Sequence, residues 1–280
     1  MIIKKKETTM NLLEKRMVDV LKDIKENHNV EGVKAEFEAE GTRFEEALRL
    51  KEVVTKAELD LTIKIGGCEA IKDMFDARSI GVTRIVGPMV ETPYALKKFL
   101  AAAKMTFPKE ERTDVSFLIN VETIDSYKNF DRMLELKEIG ELKGIVLGRV
   151  DMTSSMGLTR ENINSEQIFE IANDLLPKAK KHGLECVIGG GVSVDSLPFF
   201  RRLPQGVLDR YETRKVIFQC PAALNEDAGS GILKAVGFEL MWLKNKRDFY
   251  GMIFEEDKNR IDMLQLRYDK LIKEAGGVYE

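Results

Sequence analysis

The sequence predicts an α/β fold: a TIM-type (β/α)8 barrel with a C-terminal helical extension. Three observations predict it. Stretches with the two-residue period of a strand alternate with stretches of helical spacing over most of the chain, through short connections, which argues a parallel sheet with helical crossovers. The chain is 280 residues long, and a single barrel of this kind needs about 250. No G-x-G-x-x-G opens a helix after the first strand stretch, which argues against the dinucleotide-binding form of the alternative, an open doubly wound sheet.

The elements follow in order. Residues 10–29 carry Leu12, Leu13, Met17, Val20, Leu21 and Ile24 at helical spacing. GVKAEFEAEG (32–41) alternates Val33, Ala35, Phe37 and Ala39 with Lys34, Glu36, Glu38 and Glu40, the period of a strand. A helix is expected at 43–57, a strand in LDLTIKIGG (59–67), a helix at 69–79, and a strand in VTRIVGPMV (82–90) that runs into a Gly-Pro turn. Helix 93–104, strand VSFLINVET (115–123), helix 126–138 and strand KGIVLGRVD (143–151) come next. Helix 165–182 leads to LECVIGGGVSVDS (184–196), a strand with a glycine-rich exit, and RKVIFQC (214–220) is a shorter strand. Seven strands are thus evident, and the eighth is expected hidden or replaced near the N-terminus. The glycines 189–191 are read as letting backbone approach a ligand or another strand. Residues 222–280 break the alternation, with helices expected at about 228–246 and 255–275. The division is therefore a barrel with an N-terminal helix over 1–221 and a helical extension over 222–280.

Composition narrows the function. Apolar residues make up 44% and charged residues 32%, ordinary for a soluble globular protein. A net charge of −3 gives no reason to expect nucleic acid or an anionic membrane surface. No apolar run approaches the roughly 18 residues of a membrane span, and no apolar segment follows MIIKKKETT, which makes it a poor signal peptide. Cys68, Cys186 and Cys220 are widely spaced; they fit a reducing cytoplasm and not a zinc site built on cysteine pairs. With only His28 and His182 available, acid–base or metal chemistry has to rest on carboxylates, Lys and Arg.

In parallel α/β folds the functional face lies at the C-terminal ends of the strands. Two strand stretches end there in a carboxylate: VSFLINVE with Glu122, and GIVLGRVD with Asp151. Two like charges close together repel unless protonated or bridged by a cation, and a hard divalent ion with oxygen ligands suits them. The plainer reading, a helix cap and a surface charge, stands beside it.

INVETIDSYKNFDRML, GIVLGRVDMTSSMG and GVTRIVGPMVET resemble three signature blocks of the HpcH/HpaI aldolase and citrate lyase beta-subunit family, in order and spacing, over roughly residues 33–195. The resemblance implies a phosphoenolpyruvate/pyruvate-type barrel in which Glu122 and Asp151 hold Mg²⁺ or Mn²⁺. The ion would chelate the carboxylate and keto oxygen of a 2-oxo acid and stabilise an enolate as a C–C bond breaks or forms. The small residues after Asp151 would let backbone N–H groups near Val150, Asp151 and Met152 reach a substrate carboxylate.

The chain also departs from that family. Where many members carry an Arg toward the keto oxygen, the nearest residue is Lys64, which supplies charge but no bidentate fork; its plainer reading is a pairing with Glu36 or Glu38. Where the aldolase branch has a His, the stretch EFEAEGTRF offers Glu38 and Glu40 as weak candidates for proton transfer. Arg149 stands where the family has Pro, and is read either as a second anion contact or as the partner of a neighbouring carboxylate.

The reading that follows is a divalent-metal-dependent carbon–carbon lyase, aldolase or condensing enzyme acting on a 2-oxo acid, citrate-like or acyl-CoA substrate. The alternative is a non-catalytic barrel with a degenerate site that binds a small carboxylate or a partner. A third reading uses GGGVS (189–193) as a phosphate loop in a phosphosugar-binding barrel. The segment 222–280 displays Trp242, Phe249, Tyr250, Ile253 and Phe254 and an Ile261–Leu271 stripe, more apolar surface than a peripheral helix pair leaves in water. With the C-terminal helix exchange that the resemblance implies, this predicts a homo-oligomer, with a dimer as the minimal unit or a hexamer.

Overall fold

The computed structural model describes residues 10–277. The MIIKKKETT stretch lies outside the described residues. Eight strands close into a barrel in chain order: β1 Val30–Glu36, β2 Asp60–Lys64, β3 Arg84–Gly87, β4 Ser116–Val121, β5 Gly144–Gly148, β6 Glu185–Gly189, β7 Arg210–Glu212 and β8 Val216–Gln219. The predicted barrel is borne out, and the open sheet is excluded.

The eighth strand is not near the N-terminus. It is β7, three residues long, too short to leave a periodic signature. Neighbours from β1 through β7 are parallel, whereas β8 runs antiparallel to both β7 and β1. The cause is the connection: only residues 213–215 lie between β7 and β8, enough for a hairpin, whereas a parallel return needs a crossover of a dozen or more.

Helix α1 Leu12–His28 precedes β1; between the strands lie α2 Phe44–Lys56, α3 Ile71–Ile80, α4 Pro93–Thr106, α5 Ile124–Leu134, α6 Arg149–Ser155, α7 Glu166–Lys181 and α8 Leu197–Arg202, and α9 Ala228–Glu274 follows β8. Local chemistry sets their ends. Asn11 caps α1 by accepting from the Glu14 N–H, and Glu14 returns the bond to the Asn11 N–H. Thr92 caps α4 ahead of Pro93, and Thr123 caps α5. Helices α6 and α8 were not expected; both are short and follow strand exits that the period-two pattern reads as extended.

The alternation in the strands has a consequence special to a barrel. Val33 and Ala35 of β1 and Leu61 and Ile63 of β2 are fully buried on the side that the helices cover. Their alternate neighbours Lys34, Glu36, Thr62 and Lys64 point inward. The interior is apolar only at mid-height, where Val86, Leu118, Val146 and Val187 form a cluster. Above it the inward positions are charged. Outside the barrel, Phe117 meets Phe99 and Phe107 edge-on with ring centroids 6.3 and 5.4 Å away, a favoured aromatic geometry.

The expected pair of C-terminal helices is one continuous helix, α9, 47 residues long. No proline interrupts it, and Gly251 alone costs only about 1 kcal/mol in a helix interior. The chain divides into two compact units, residues 1–239 and 240–280. Within the first, Ala228, Ile232, Ala235 and Phe238 are buried along one side of α9. Within the second, most of the expected apolar side chains are exposed, but Trp242 is buried, contrary to expectation. No helix among the described residues is long and apolar enough to cross a membrane.

Candidate active site

Glu122 follows the last residue of β4 and sits inside the upper rim, 1% exposed. Its Oε1 accepts from the Met89 N–H at 2.9 Å, and its Oε2 from the Asn120 side-chain amide at 2.6 Å. Met89 holds a left-handed φ of 50°, a conformation that costs a non-glycine residue of order 1 kcal/mol, and its amide is the one that meets the carboxylate. A side chain on Gly148 would begin 2.7 Å from Glu122 Cβ and 2.9 Å from Oε2, so β5 must carry a glycine there for Glu122 to fit.

Burial pushes the Glu122 carboxyl above the usual carboxylate range. Lys64, the Met89 amide and Asn120 act against that shift, and the charge of Asp151 adds to it. Asp151 is therefore close enough to be felt. It stands in the first turn of α6 and is half-buried; it is a helix residue, not the strand end that the sequence predicts.

Lys64 ends β2 and is nearly buried. Its Nζ lies 2.8 Å from Glu38 Oε2 and 3.8 Å from Glu122 Oε2. The first is an ion pair by distance that is not aligned as a hydrogen bond. Burial acts to lower the Lys64 pKa, but Glu122, Glu38 and Glu36 outweigh it and hold the group above the ordinary lysine value. Of the two partners expected for Lys64, Glu38 makes the contact. Glu36 is 3.1 Å from Lys34, which also reaches Glu212 at 2.5 Å.

Glu38 and Glu40 lie in the turn after β1, not in the strand. Glu40 differs from the expected proton-transfer group. Buried Lys215 pairs with it, Arg214 Nε lies 3.3 Å away, and it accepts from the Glu36 N–H and Thr42 hydroxyl at 3.3 Å. These partners clip the turn to the β7–β8 hairpin and occupy the carboxylate.

Arg149 also differs from both of its expected roles. It is fully buried. Its guanidinium donates to the carbonyls of Gly189, Gly190 and Ile163, to Asn164 Oδ1 and to Ser196 Oγ. The rings of Phe199 and Phe200 lie 5.3 and 5.1 Å from its carbon centre. With no carboxylate partner, burial pulls its pKa down to about 9. Every N–H direction is used inside the protein, so Arg149 ties the exit of β6 to α6 and α8 and has none left for a substrate.

The turn at 150–152 is tighter than expected. The amide nitrogens of Arg149 and Val150 lie 2.6 and 2.7 Å from where a Gly190 side chain would begin, so the glycine-rich exit packs onto the start of α6. Gly190 therefore serves the close approach of another backbone. Val150 is half-buried, and Met152 is fully buried. The small residues that follow return to the helix: Thr153 and Ser154 donate to the Val150 carbonyl, and Ser155 donates to that of Met152. Ser155 Oγ also accepts from the Ile124 N–H at 2.9 Å, joining α6 to α5. In GGGVS, Ser193 caps the next turn by accepting from the Asp195 N–H, a local use of the hydroxyl that the phosphate-loop reading needs.

Among the described residues no group of three or more His, Cys, Asp and Glu side chains could hold a metal ion. Glu122 and Asp151 carry carboxylate oxygens, the donor type of a hard divalent cation, which commonly takes one or two carboxylates and leaves its other positions to water and substrate oxygens. Asn120 and Met89, which hold the Glu122 carboxylate, were not singled out in the sequence. The spacing of Asn120 two before Glu122, hence on the same strand face, was the available signal. A surface cavity of about 570 Å³, lined by Lys104, Lys109, Arg112 and Lys143 among others, contains none of these groups.

Comparison with known proteins agrees with the fold. A family model described as HpcH/HpaI aldolase/citrate lyase matches residues 43–196, more than half of the chain. Among solved structures, the chain is similar to an HpcH/HpaI aldolase/citrate lyase family protein from Burkholderia cenocepacia J2315, with 12% identity and a TM-score of 0.54, over 67% of this chain and 79% of that one. It is also similar to the citrate synthase SbnG, with 15% identity and a TM-score of 0.53, over 83% of this chain and 90% of that one. A single-residue variant of SbnG gives 14% identity and a TM-score of 0.52, over 82% and 90%. Comparison with curated proteins returns no match.

Proposed function

The chain belongs to the HpcH/HpaI aldolase/citrate lyase family, and on that premise we propose that it is a divalent-cation-dependent carbon–carbon lyase, aldolase or condensing enzyme working through the enolate of a 2-oxo acid, in a free, citrate-like or acyl-CoA substrate. Family membership supports the lyase or condensing type. One juxtaposition supports the finer reading: buried Glu122, electrostatically coupled Asp151, and the Lys64 ammonium 3.8 Å from Glu122, all at the upper rim. Glu122 and Asp151 would hold Mg²⁺ or Mn²⁺, which as a Lewis acid supplies charge stabilisation for the enolate oxygen.

The remaining steps belong to the chain's own residues. Met89 and Asn120 fix the Glu122 carboxylate from two sides, so its orientation is set before any ligand arrives. Lys64 keeps its proton and offers a positive charge, in a water-poor setting, to negative charge developing on a substrate oxygen. Glu38, 27% exposed in its side chain, holds that ammonium. In the cleavage direction it is the group assigned to take the proton of a substrate hydroxyl as the C–C bond breaks. Glu40 and Arg149 are assigned no chemical role. Titration calorimetry with Mn²⁺ tests the reading: binding to the wild type, and none to Glu122→Ala or Asp151→Ala with the fold retained, is the expected result. Wild-type affinity in either variant removes the pair as the cation site.

A further inference from the structure

The unit 240–280 carries a self-complementary stripe. From Leu240 to Leu271, positions spaced alternately three and four residues apart fall on one side of α9, the seam of a heptad repeat. Only two of them are polar, Arg247 and Asp257. The leucines of the seam, Phe254 and Ile261 are each more than half exposed. Arg247 pairs with the adjacent Asp248, at 2.8 Å, an exposed pair of little energetic weight. On the other side of the helix, Phe249 and Met252 are separated from Met263 and Leu266 by Glu256 and Asn259, so no second continuous stripe competes.

We propose that this face of α9 pairs with the same face of a second copy of the chain as an antiparallel coiled coil centred on residue 252, with Arg247 of each copy against Asp257 of the other. The charge pattern chooses this arrangement. In that register Leu240 faces Leu264, Leu243 faces Ile261 and Tyr250 faces Phe254, so every apolar position from 240 to 264 meets an apolar one, and Tyr268 and Leu271 lie beyond the paired stretch. A parallel pairing sets Arg247 against Arg247 and Asp257 against Asp257. Antiparallel registers one heptad away set each charge against an aliphatic or aromatic side chain, leaving it buried and unpaired. The pairing runs over about 36 Å of helix at 1.5 Å per residue. Its apolar side chains, at roughly 100 Å² each, bring it to about 1,200 Å², the lower end of stable specific interfaces. The flanking Lys244, Lys246, Lys258 and Arg260 are all basic; they oppose the pairing at low ionic strength, and at 0.15 M, with a screening length of about 8 Å, that opposition is reduced.

The test uses the full chain at 0.15 M salt, with sedimentation and light scattering to give the dissociation constant. Wild type is expected to be a dimer or a multiple of one at micromolar concentration. Arg247→Asp and Asp257→Arg each place like charges across the seam and should raise the dissociation constant by at least about 30-fold. The double exchange, Arg247→Asp with Asp257→Arg, should return it to within a few-fold of wild type. Circular dichroism on each variant checks that helix content is retained. A wild-type monomer, single variants that assemble like wild type, or a double variant no better than the singles would each overturn the proposal.

Discussion

Replacing Gly148 with alanine tests whether the geometry around Glu122 is set as tightly as described. The added methyl would lie 2.7 Å from Glu122 Cβ and 2.9 Å from Oε2, where ordinary contact needs 3.4–4 Å. Either the carboxylate retreats by roughly 1 Å or β5 and β4 part, and a close-packed interior resists both. Overpacking of this kind costs about 1–3 kcal/mol, and a domain of this size loses about 2–4 °C of melting temperature per kcal/mol. Misplacing a reacting group by about 1 Å costs on the order of 100-fold in rate. Thermal melts, Mn²⁺ titration and metal-dependent decarboxylation of oxaloacetate should be run on Gly148→Ala beside Gly140→Ala, whose methyl meets no atom within 4 Å. The expected outcome is a modest loss of stability, weakened Mn²⁺ binding and a large loss of rate for the first variant alone. A Gly148→Ala protein with wild-type Mn²⁺ affinity and rate would refute the packing argument.

Other outcomes follow from the same structure. Lys64→Met should lower any metal-dependent rate by about 10- to 1,000-fold, the range for one electrostatic stabiliser; equal rates would remove Lys64 from the chemistry. Arg149→Met should act on the fold, costing about 3–5 kcal/mol in urea unfolding because buried carbonyls lose their donor; a stable but inactive variant would restore the anion-contact role. Glu36 is held below its ordinary pKa: burial acts to raise it, and Lys34 and Lys64 overcome that. The unfolded chain therefore binds the proton more tightly, so the stabilisation is present above about pH 4.3 and is lost as pH falls through the folded value. The melting-temperature gap between wild type and Glu36→Gln should shrink on acidification below that pH; a constant gap would show that the ionised form contributes nothing.

The sequence made the barrel legible because strand and helix periods differ sharply, and because functional groups of parallel folds collect where strands end. Glu122 was singled out by that rule, and Lys64 by its place nearest the Arg of the resembled family. Residues 210–212 were missed because three residues carry no period, and the direction of β8 followed from a loop length that becomes visible only once β7 is known. The role of Arg149 could not be read from the chain. Its acceptors are backbone carbonyls of Gly189, Gly190 and Ile163, which no residue type announces. Asp151 was placed on a strand because Val150 continues the apolar run, yet the chain turns into α6 one residue earlier. Glu38 and Glu40 alternate like strand residues but occupy a turn with separate partners, so one remains with Lys64 and the other is held by Lys215.

Enolate chemistry at the Glu122–Asp151–Lys64 rim can be followed by proton NMR of pyruvate in D₂O with the protein present, with and without Mg²⁺. The expected result is methyl-proton exchange that needs the ion, is absent in Glu122→Ala and Asp151→Ala, and is slowed in Lys64→Met. Mg²⁺ binding with no exchange from pyruvate or any other simple 2-oxo acid would contradict it, and would leave a barrel that binds small carboxylates without transforming them.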